Sequence, residues 1–321
     1  MHSSHPEHRH GDHGHAQACG HAHGHAHLMP DGGLDRAMAI GVGLNTLFVV
    51  AEIVCGFFAG SLALVADAGH NAGDVIGLLL AWGASWLARR PPSERYTWGF
   101  RRTTIYAALA NAVLLLTACG AILWEAAHRL RSPEPVAGLL VIAVATIGVV
   151  INTATALLFM RGQRDANVRG AFLHMAADAA ISAGVAVAGI LILVTGMAWI
   201  DPVVSIAITM AIVAGTWGLF RESVDLALDA VPRGIETGAI TTALAAIPGV
   251  EEVHDLHVWG ASTSEVSLTV HLVVPDGTAH ETVLPAAEAL LRERFHIDHT
   301  TIQLERAAAG RACVQRPAET L

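Results

Sequence analysis

Two copies of one short pattern, His-x-x-x-Asp, lie inside segments of this sequence that are otherwise almost wholly apolar. The first copy is His70 with Asp74, and the second is His174 with Asp178. A spacing of four residues places both side chains of a pair on one face of a helix, about 6 Å apart along its axis. Imidazole and carboxylate groups are ligands of Zn2+, and two such helices facing each other would supply a complete tetrahedral shell.

A single pair of this kind has a simpler interpretation, in which the His hydrogen-bonds to a neighbouring helix and the Asp makes a polar packing contact. Two identical pairs in separate apolar segments favour metal binding instead, because ionisable groups are costly inside a membrane and mark ion pathways. We therefore predict that His70, Asp74, His174 and Asp178 bind a divalent metal that crosses the membrane. Two nitrogen and two oxygen ligands suit zinc, with cobalt, nickel or cadmium as further substrates.

Asp67 lies three residues before His70 and shares its helix face. Two interpretations stay open for this side chain. Its carboxylate either relays protons and orients the His70 ring from outside the metal shell, or lies near the outer mouth of the site and is simply hydrated. Other polar residues of the apolar segments, such as Glu52, are interpreted as packing contacts or cavity lining.

The composition predicts the elements that must hold these residues. Of the 321 residues, 53% are hydrophobic and only 15% are charged, which is typical of a membrane protein. Asp201 and Pro202 are interpreted as the beginning of the last span, with Asp201 as its cap. Windows of about 20 residues give six apolar spans, at about 36–58, 62–88, 103–128, 136–160, 168–195 and 199–220.

The arginines predict how these spans are oriented. The loops at 89–102 and 161–169 are rich in Arg, whereas the opposite loops hold only Arg129 and Arg131. By the positive-inside rule, the Arg-rich loops and both chain ends are cytoplasmic. The sequence contains no Lys and much Ala, which suggests a GC-rich bacterial genome and therefore a bacterial inner membrane.

The first 33 residues are predicted to form a disordered cytoplasmic tail that chelates metal loosely. This region lacks both a core-forming pattern and a signal-peptide apolar stretch. The alternative is a cloning tag, but tags are usually uninterrupted runs of His, and here Gly and Ala alternate with them. The tail holds ten of the 19 histidines, which are His2, His5, His8, His10, His13, His15, His21, His23, His25 and His27.

After the apolar region, 34–222, the pattern changes to that of a small α+β domain at 230–307, followed by a disordered tail at 308–321. The segments read helix, strand, strand, helix, strand (αββαβ), which indicates a ferredoxin-like fold. About 75 residues are marginal for independent stability, so pairing in a dimer would help. Strand alternation predicts that His254 and His257 point to opposite faces of the sheet. Histidines on these strands could form a second metal site, or could be solvated or interface residues.

Five segments together resemble the cation diffusion facilitator family, especially its zinc-exporting branch. They are SLALVADAGHNAGD, YTWGFRRTTIYAALANAVLLL, the second His-x-x-x-Asp, VHDLHVWG and HTTIQLER, and the resemblance covers residues from about 34 to 307. It implies a homodimer of six-helix subunits that exchanges zinc for protons at a four-ligand site on the second and fifth helices. Those positions are occupied here by His70, Asp74, His174 and Asp178.

The resemblance also bears on the cytoplasmic domain. In members with a binuclear site there, the positions matching His254, His271 and His299 supply ligands, although His257 and His296 offer competing choices. Some members bind a further metal at the loop between spans two and three. That loop has no His here, so no site is expected in it.

Ligand chemistry predicts the coupling. Zinc binds neutral imidazole and ionised carboxylate, so protons must leave the site as the metal enters. No ATP-binding G-x-x-x-x-G-K-[ST] motif occurs, which makes the proton gradient the expected energy source. The chain also lacks the H-E-x-x-H motif of a zinc hydrolase, so we predict no enzyme, no organic cofactor and no nucleic-acid partner. A metal importer, or a membrane metal sensor or store, remains the alternative, because sequence does not determine the direction of flux.

Overall fold

The computed structural model describes residues 34–159, 166–277 and 280–306. The predictions for both tails, including the ten histidines of residues 1–33 and the segment 308–321, lie outside these ranges. The described chain begins with six long helices and continues with a smaller domain of two helices and three strands. The long helices are α1 (Leu34–Ala59), α2 (Leu62–Ala88), α3 (Thr103–Arg131), α4 (Gly138–Phe159), α5 (Ala166–Thr195) and α6 (Ile200–Ala227).

Each of the six apolar segments of the sequence forms one helix, and most of the predicted bounds lie within a few residues of the observed ones. Four helical stretches in the described chain are long and apolar enough to cross a membrane, whereas the apolar part of α1, Thr46–Ala59, is shorter. Helix α2, which contains the polar residues of the first His-x-x-x-Asp pattern, is not among these four stretches. The four stretches are Thr103–Arg131, Gly138–Leu157, Phe172–Thr195 and Ile200–Ala227.

Small residues allow the helices to approach closely. A Cβ built on Gly189 of α5 would lie 2.9 Å from Ile142 Cγ1 and 3.2 Å from the Gly138 carbonyl oxygen of α4, so that crossing needs a residue without a side chain. Inside a membrane, contact between apolar helices releases no water, so the van der Waals contacts of close packing drive helix association instead. The core between the helices consists of buried residues such as Ala66, Ala145 and Val185.

Helix α2 is held at its beginning by a carboxylate from α6. Asp201 is buried and accepts hydrogen bonds from Ser61 Oγ at 2.5 Å, from the Leu62 amide at 2.7 Å and from the Ala63 amide at 3.3 Å. These donors include amides that a helix terminus otherwise leaves without partners. Asp201 therefore caps α2. The prediction that it caps its own helix is wrong, since Trp199 is the N-cap of α6.

The smaller domain contains the elements predicted for it, in the order αββαβ: α7 (Thr237–Ala245), β1 (Glu252–Gly260), β2 (Val266–Val274), α8 (His280–Phe295) and β3 (His299–Arg306). Strand β2 is central, pairing antiparallel with β1 and parallel with β3. One face of the sheet packs on the helices through a buried apolar core that includes Leu244, Leu268, Leu272 and Leu291. The region is an α/β domain appended to a helical one.

A β-bulge changes the faces predicted for two histidines of β1. His254 pairs with His271 and His257 pairs with Thr269, so β1 has one more residue than β2 between these positions. The bulge includes Asp255, whose φ is 52°. Because His271 and Thr269 are two residues apart, they share a face, and so do their partners. The prediction that His254 and His257 point to opposite faces is therefore wrong.

Candidate metal centre

The two His-x-x-x-Asp patterns meet at the contact between α2 and α5. His174 Nε2 lies 3.1 Å from Asp74 Oδ2, and His70 Nε2 lies 3.3 Å from Asp178 Oδ1. Within each helix, the His70–Asp74 and His174–Asp178 separations are 3.9 and 3.7 Å. Each carboxylate thus lies within 4 Å of both imidazoles. Because the i,i+4 spacing fixes each pair locally, only the facing of two helices is needed to bring all four side chains together.

The four side chains differ in their access to solvent. The side chain of Asp178 is 2% exposed, whereas that of Asp74 is 36% exposed. His70 is 15% exposed and His174 is 31% exposed. The group is therefore closed on the side of Asp178 and open on the side of Asp74 and His174.

A second layer of buried polar side chains lies beside this group. Asp67 is fully buried and accepts a hydrogen bond from Ser182 Oγ of α5 at 2.8 Å, so the interpretation that it is simply hydrated is wrong. Glu52 of α1 is also fully buried and accepts a hydrogen bond at 3.3 Å from Asn71 Nδ2, one helical turn after Asp67. Sequence reasoning missed the contact between Glu52 and α2, because spacing along α1 alone does not show what its side chains face.

A second group of metal-ligating side chains occupies the sheet face turned away from the helices of the smaller domain. His254 and His271 are buried, and their ring centroids are 5.4 Å apart. Glu305 of β3 lies between them, with Oε1 3.0 Å from His271 Nδ1 and Oε2 3.5 Å from His254 Nε2. Each of the three strands therefore contributes one possible ligand, and the three ligand atoms lie within 4.8 Å of one another.

His299 is not part of this second group, although the sequence predicted it there. In the parallel register, His299 pairs with Ser267, and Gln303 pairs with His271. Four residues of β-strand place His299 about 13 Å from that position. Its ring packs instead on Trp98, at a centroid distance of 4.5 Å. In the sequence, Glu305 lies two residues after Gln303 and therefore on the same face of its strand. Only the register of β3, which pairs Gln303 with His271, shows that this face is the one that holds the histidines.

The competing histidines also lie outside the His254, His271 and Glu305 group. His257 is 66% exposed and lies 3.1 Å from Asp255 Oδ1. The other carboxylate oxygen of Asp255 lies 3.6 Å from His271 Nε2, so the bulge residue links the exposed histidine to the buried group. His296 follows the end of α8, where its φ is 56°.

Comparison with known proteins gives consistent matches over nearly the whole chain. The family model of the cation efflux transmembrane domain matches residues 38–226, and that of the cation efflux protein cytoplasmic domain matches residues 232–307. The cation efflux system protein CzcD of Alcaligenes sp. strain CT14 is 36% identical, over 90% of this chain and 92% of its own length.

Two further relatives carry names that specify metals. The zinc transporter ZitB of Escherichia coli K12 is 35% identical, over 88% of this chain and 92% of its own length. The cadmium, cobalt and zinc/H(+)-K(+) antiporter of Bacillus velezensis is 31% identical, over 89% of this chain and 93% of its own length.

Proposed function

This chain belongs to the cation efflux family, whose members are transporters and not enzymes, and we propose that it exports zinc from the cytoplasm in exchange for protons. The metal binds to His70, Asp74, His174 and Asp178 at a site that opens to one side of the membrane at a time. The transport domain comprises residues 34–222 with six spans, and residues 230–307 form the cytoplasmic domain. The membrane is the bacterial inner membrane, with both chain ends in the cytoplasm.

The convergence of the four side chains carries this proposal. A tetrahedral zinc site with metal–ligand distances of about 2.0–2.2 Å has ligand–ligand edges of about 3.3–3.6 Å. The four imidazole–carboxylate separations are 3.1, 3.3, 3.7 and 3.9 Å. One ligand atom each of His70, Asp74 and His174 lie within 4.8 Å of one another. Asp178 contacts His70 through Oδ1 and His174 through Oδ2, so it adjoins the ion position that the other three side chains already surround. The negative charges of the two carboxylates also balance the double positive charge of the ion, which lowers the energetic cost of holding the ion away from water.

The same contacts support proton exchange. A zinc ion needs both imidazoles neutral, whereas an imidazolium is stabilised by the carboxylates that surround it. His174 can hold a proton against Asp74, and His70 can hold one against Asp178. Metal and protons therefore compete for one set of side chains. Because zinc displaces protons on loading, and protons displace zinc on release, a proton gradient can drive the metal in the opposite direction.

The relatives support the substrate and the direction. One is named a zinc transporter, one an efflux protein, and one an antiporter of cadmium, cobalt and zinc with protons and potassium. Zinc is the first substrate on ligand chemistry, with cadmium, cobalt and nickel as further ones. The alternative, an importer or a sensor using the same ligands, predicts zinc movement toward the cytoplasmic side, or no net movement.

The cytoplasmic domain is proposed to be a ferredoxin-like dimerisation unit that holds a regulatory zinc ion. Two imidazoles and one carboxylate, contributed by His254, His271 and Glu305, fit a zinc site with one open position. Both ring nitrogens of His254 are buried without a hydrogen bond among the described residues, and a bound ion would satisfy one of them. A bound ion would join the three strands, and the His-rich tail would supply it by loose chelation.

The direct test is zinc flux in sealed proteoliposomes of known orientation, with an imposed pH gradient and no ATP. Zinc should move from the cytoplasmic side against the proton flow, and should slow when the loading side is below about pH 6, where His is mostly protonated. Replacing any one of the four ligands by Ala should abolish flux, whereas His128→Ala, at the end of α3, should not. Wild-type flux in His174→Ala, or zinc movement toward the cytoplasmic side, would refute the proposal.

A further inference from the structure

Two acidic side chains of neighbouring helices face each other beside the metal centre. Glu52 of α1 and Asp67 of α2 are both fully buried. Glu52 accepts a hydrogen bond from Asn71, which lies one helical turn after Asp67 on the same face of α2, so the two carboxyl groups are neighbours. One oxygen of each already has a partner, since Asn71 donates to Glu52 Oε2 and Ser182 donates to Asp67 Oδ2. The other two oxygens, Glu52 Oε1 and Asp67 Oδ1, are buried and have no hydrogen-bond partner among the described residues.

A single proton shared by the two carboxyl groups would satisfy both of these oxygens. Two ionised carboxylates in contact, away from water, repel each other strongly, so one of them is held neutral. Among the described residues, two ionisable groups flank Asp67: His70 lies three residues after it on α2, and Asp178 lies one helical turn before its donor Ser182 on α5. Asp67 also accepts from the Ser182 hydroxyl, which favours its ionised form. Glu52, whose described donor is a neutral amide, is therefore the group that carries the proton.

We infer that Glu52, with Asp67 as its hydrogen-bond acceptor, is a proton-binding site distinct from the metal ligands, and that it releases its proton when zinc binds. This inference rests on the proposed exchange of zinc for protons. It adds a second proton carrier to the imidazoles, on a helix that contributes no ligand.

The acid pair and the metal ligands are connected through the same two helices. Asn71 is the residue after His70, and Ser182 follows Asp178 by one helical turn, so α2 and α5 hold both the ligands and the donors of the acid pair. A doubly charged ion at the ligands favours the fully ionised pair, and a neutral Glu52 favours the metal-free site. Zinc binding leaves two carboxylates and one released proton. Zinc release on the other side of the membrane allows that proton to be replaced.

The proton count on zinc binding tests this directly. The full-length protein in detergent is titrated with zinc by calorimetry in buffers of different ionisation enthalpy, which gives the protons released per zinc bound. The same titration in a His174→Ala background subtracts the contributions of the tail and the cytoplasmic domain. Glu52→Gln should release one proton fewer than wild type, because Gln can donate to Asp67 and accept from Asn71 but cannot release a proton.

Two more variants test whether Glu52 and Asp67 share one proton. Asp67→Asn should also release one proton fewer, because a lone buried Glu52 stays neutral with or without zinc. The double variant should again lose one proton and not two, since the pair shares a single proton. Glu125→Gln, an equivalent change at an accessible residue of α3 paired with Arg129, should leave the count unchanged.

An unchanged count in Glu52→Gln would mean that the proton is a permanent structural one, and would overturn the inference. A loss of two protons in the double variant would contradict the claim that Glu52 and Asp67 share a single proton. If Glu52→Gln fails to give a monodisperse protein, Asp67→Asn decides the same question. The count is made at binding equilibrium, so it stands even if vesicles show no zinc export. If Glu52→Gln releases one proton fewer as expected but the wild-type protein shows no proton-driven zinc flux, the proposed function is refuted and the inference is not.

Discussion

The unequal burial of the two carboxylates in the membrane site predicts unequal losses of zinc affinity. Asp178 is 2% exposed and Asp74 is 36% exposed. The perturbation is Asp→Asn at each position in turn, which keeps the shape of the side chain and removes its charge. At Asp178, water cannot take the place of the carboxylate, whereas at Asp74 the open side of the site admits a water molecule as replacement ligand.

The contacts give the sizes of the two effects. Asp178 lies 3.3 Å from His70 Nε2 and 3.7 Å from His174 Nε2 in a buried position, and removing one partner of a buried charged pair costs about 3–5 kcal/mol. Since about 1.4 kcal/mol is a factor of ten, we expect Asp178→Asn to weaken zinc binding at least about 100-fold. The contacts of Asp74 are discounted for solvent screening. We expect about a tenfold loss for Asp74→Asn, or about 1.4 kcal/mol.

Competition against a chromophoric zinc chelator, with protein in detergent at neutral pH, measures these affinities. Asp276→Asn, at an exposed turn of the cytoplasmic domain, is the matched control and should bind zinc as wild type does. The two variants should differ in zinc affinity even though both lose zinc flux. Flux requires more than binding, because the site must also change the side of the membrane to which it opens. Equal losses at the two positions, or a larger loss at Asp74, would refute the argument from burial.

Four other changes have expected outcomes. Deleting residues 2–27 should leave flux at saturating zinc nearly unchanged and reduce it at low zinc, and complete loss of flux would place the tail in the pathway. Glu305→Gln should weaken zinc binding by the cytoplasmic domain about tenfold or more in calorimetry while His299→Ala should not, and the reverse result would contradict the observed strand register. Asp201→Ala removes three hydrogen bonds at the beginning of α2 and should destabilise the protein by about 2–4 kcal/mol, seen as a lower unfolding temperature in detergent; an unchanged temperature would mean that the cap is dispensable. His70→Asp should shift the acid inhibition of flux to lower pH, because a carboxyl that titrates near pH 4 in water replaces an imidazole that titrates near pH 6.5, and a profile that coincides with wild type would exclude His70 as a proton carrier.

The features that depend on neighbouring residues in the chain were predictable from the sequence alone. Helix bounds follow from long apolar runs, and the pairing of His70 with Asp74 follows from the pitch of a helix, which needs no tertiary information. The αββαβ order followed in the same way from alternation and turn residues. Two identical pairs then implied that the second and fifth helices face each other, because isolated ionisable groups inside a membrane are unfavourable.

The features that join distant parts of the chain were decided only by tertiary structure. Asp201 caps α2 across about 140 positions of sequence, and Glu52 of α1 accepts a hydrogen bond from Asn71 across the contact of two helices. In the cytoplasmic domain, the parallel register of β3 selects Glu305 over His299, and a single extra residue at Asp255 turns His257 to the face of His254. Periodicity says which face of its own element a side chain occupies. The partner on that face is set by register and packing between elements, where a shift of one residue exchanges one candidate ligand for another.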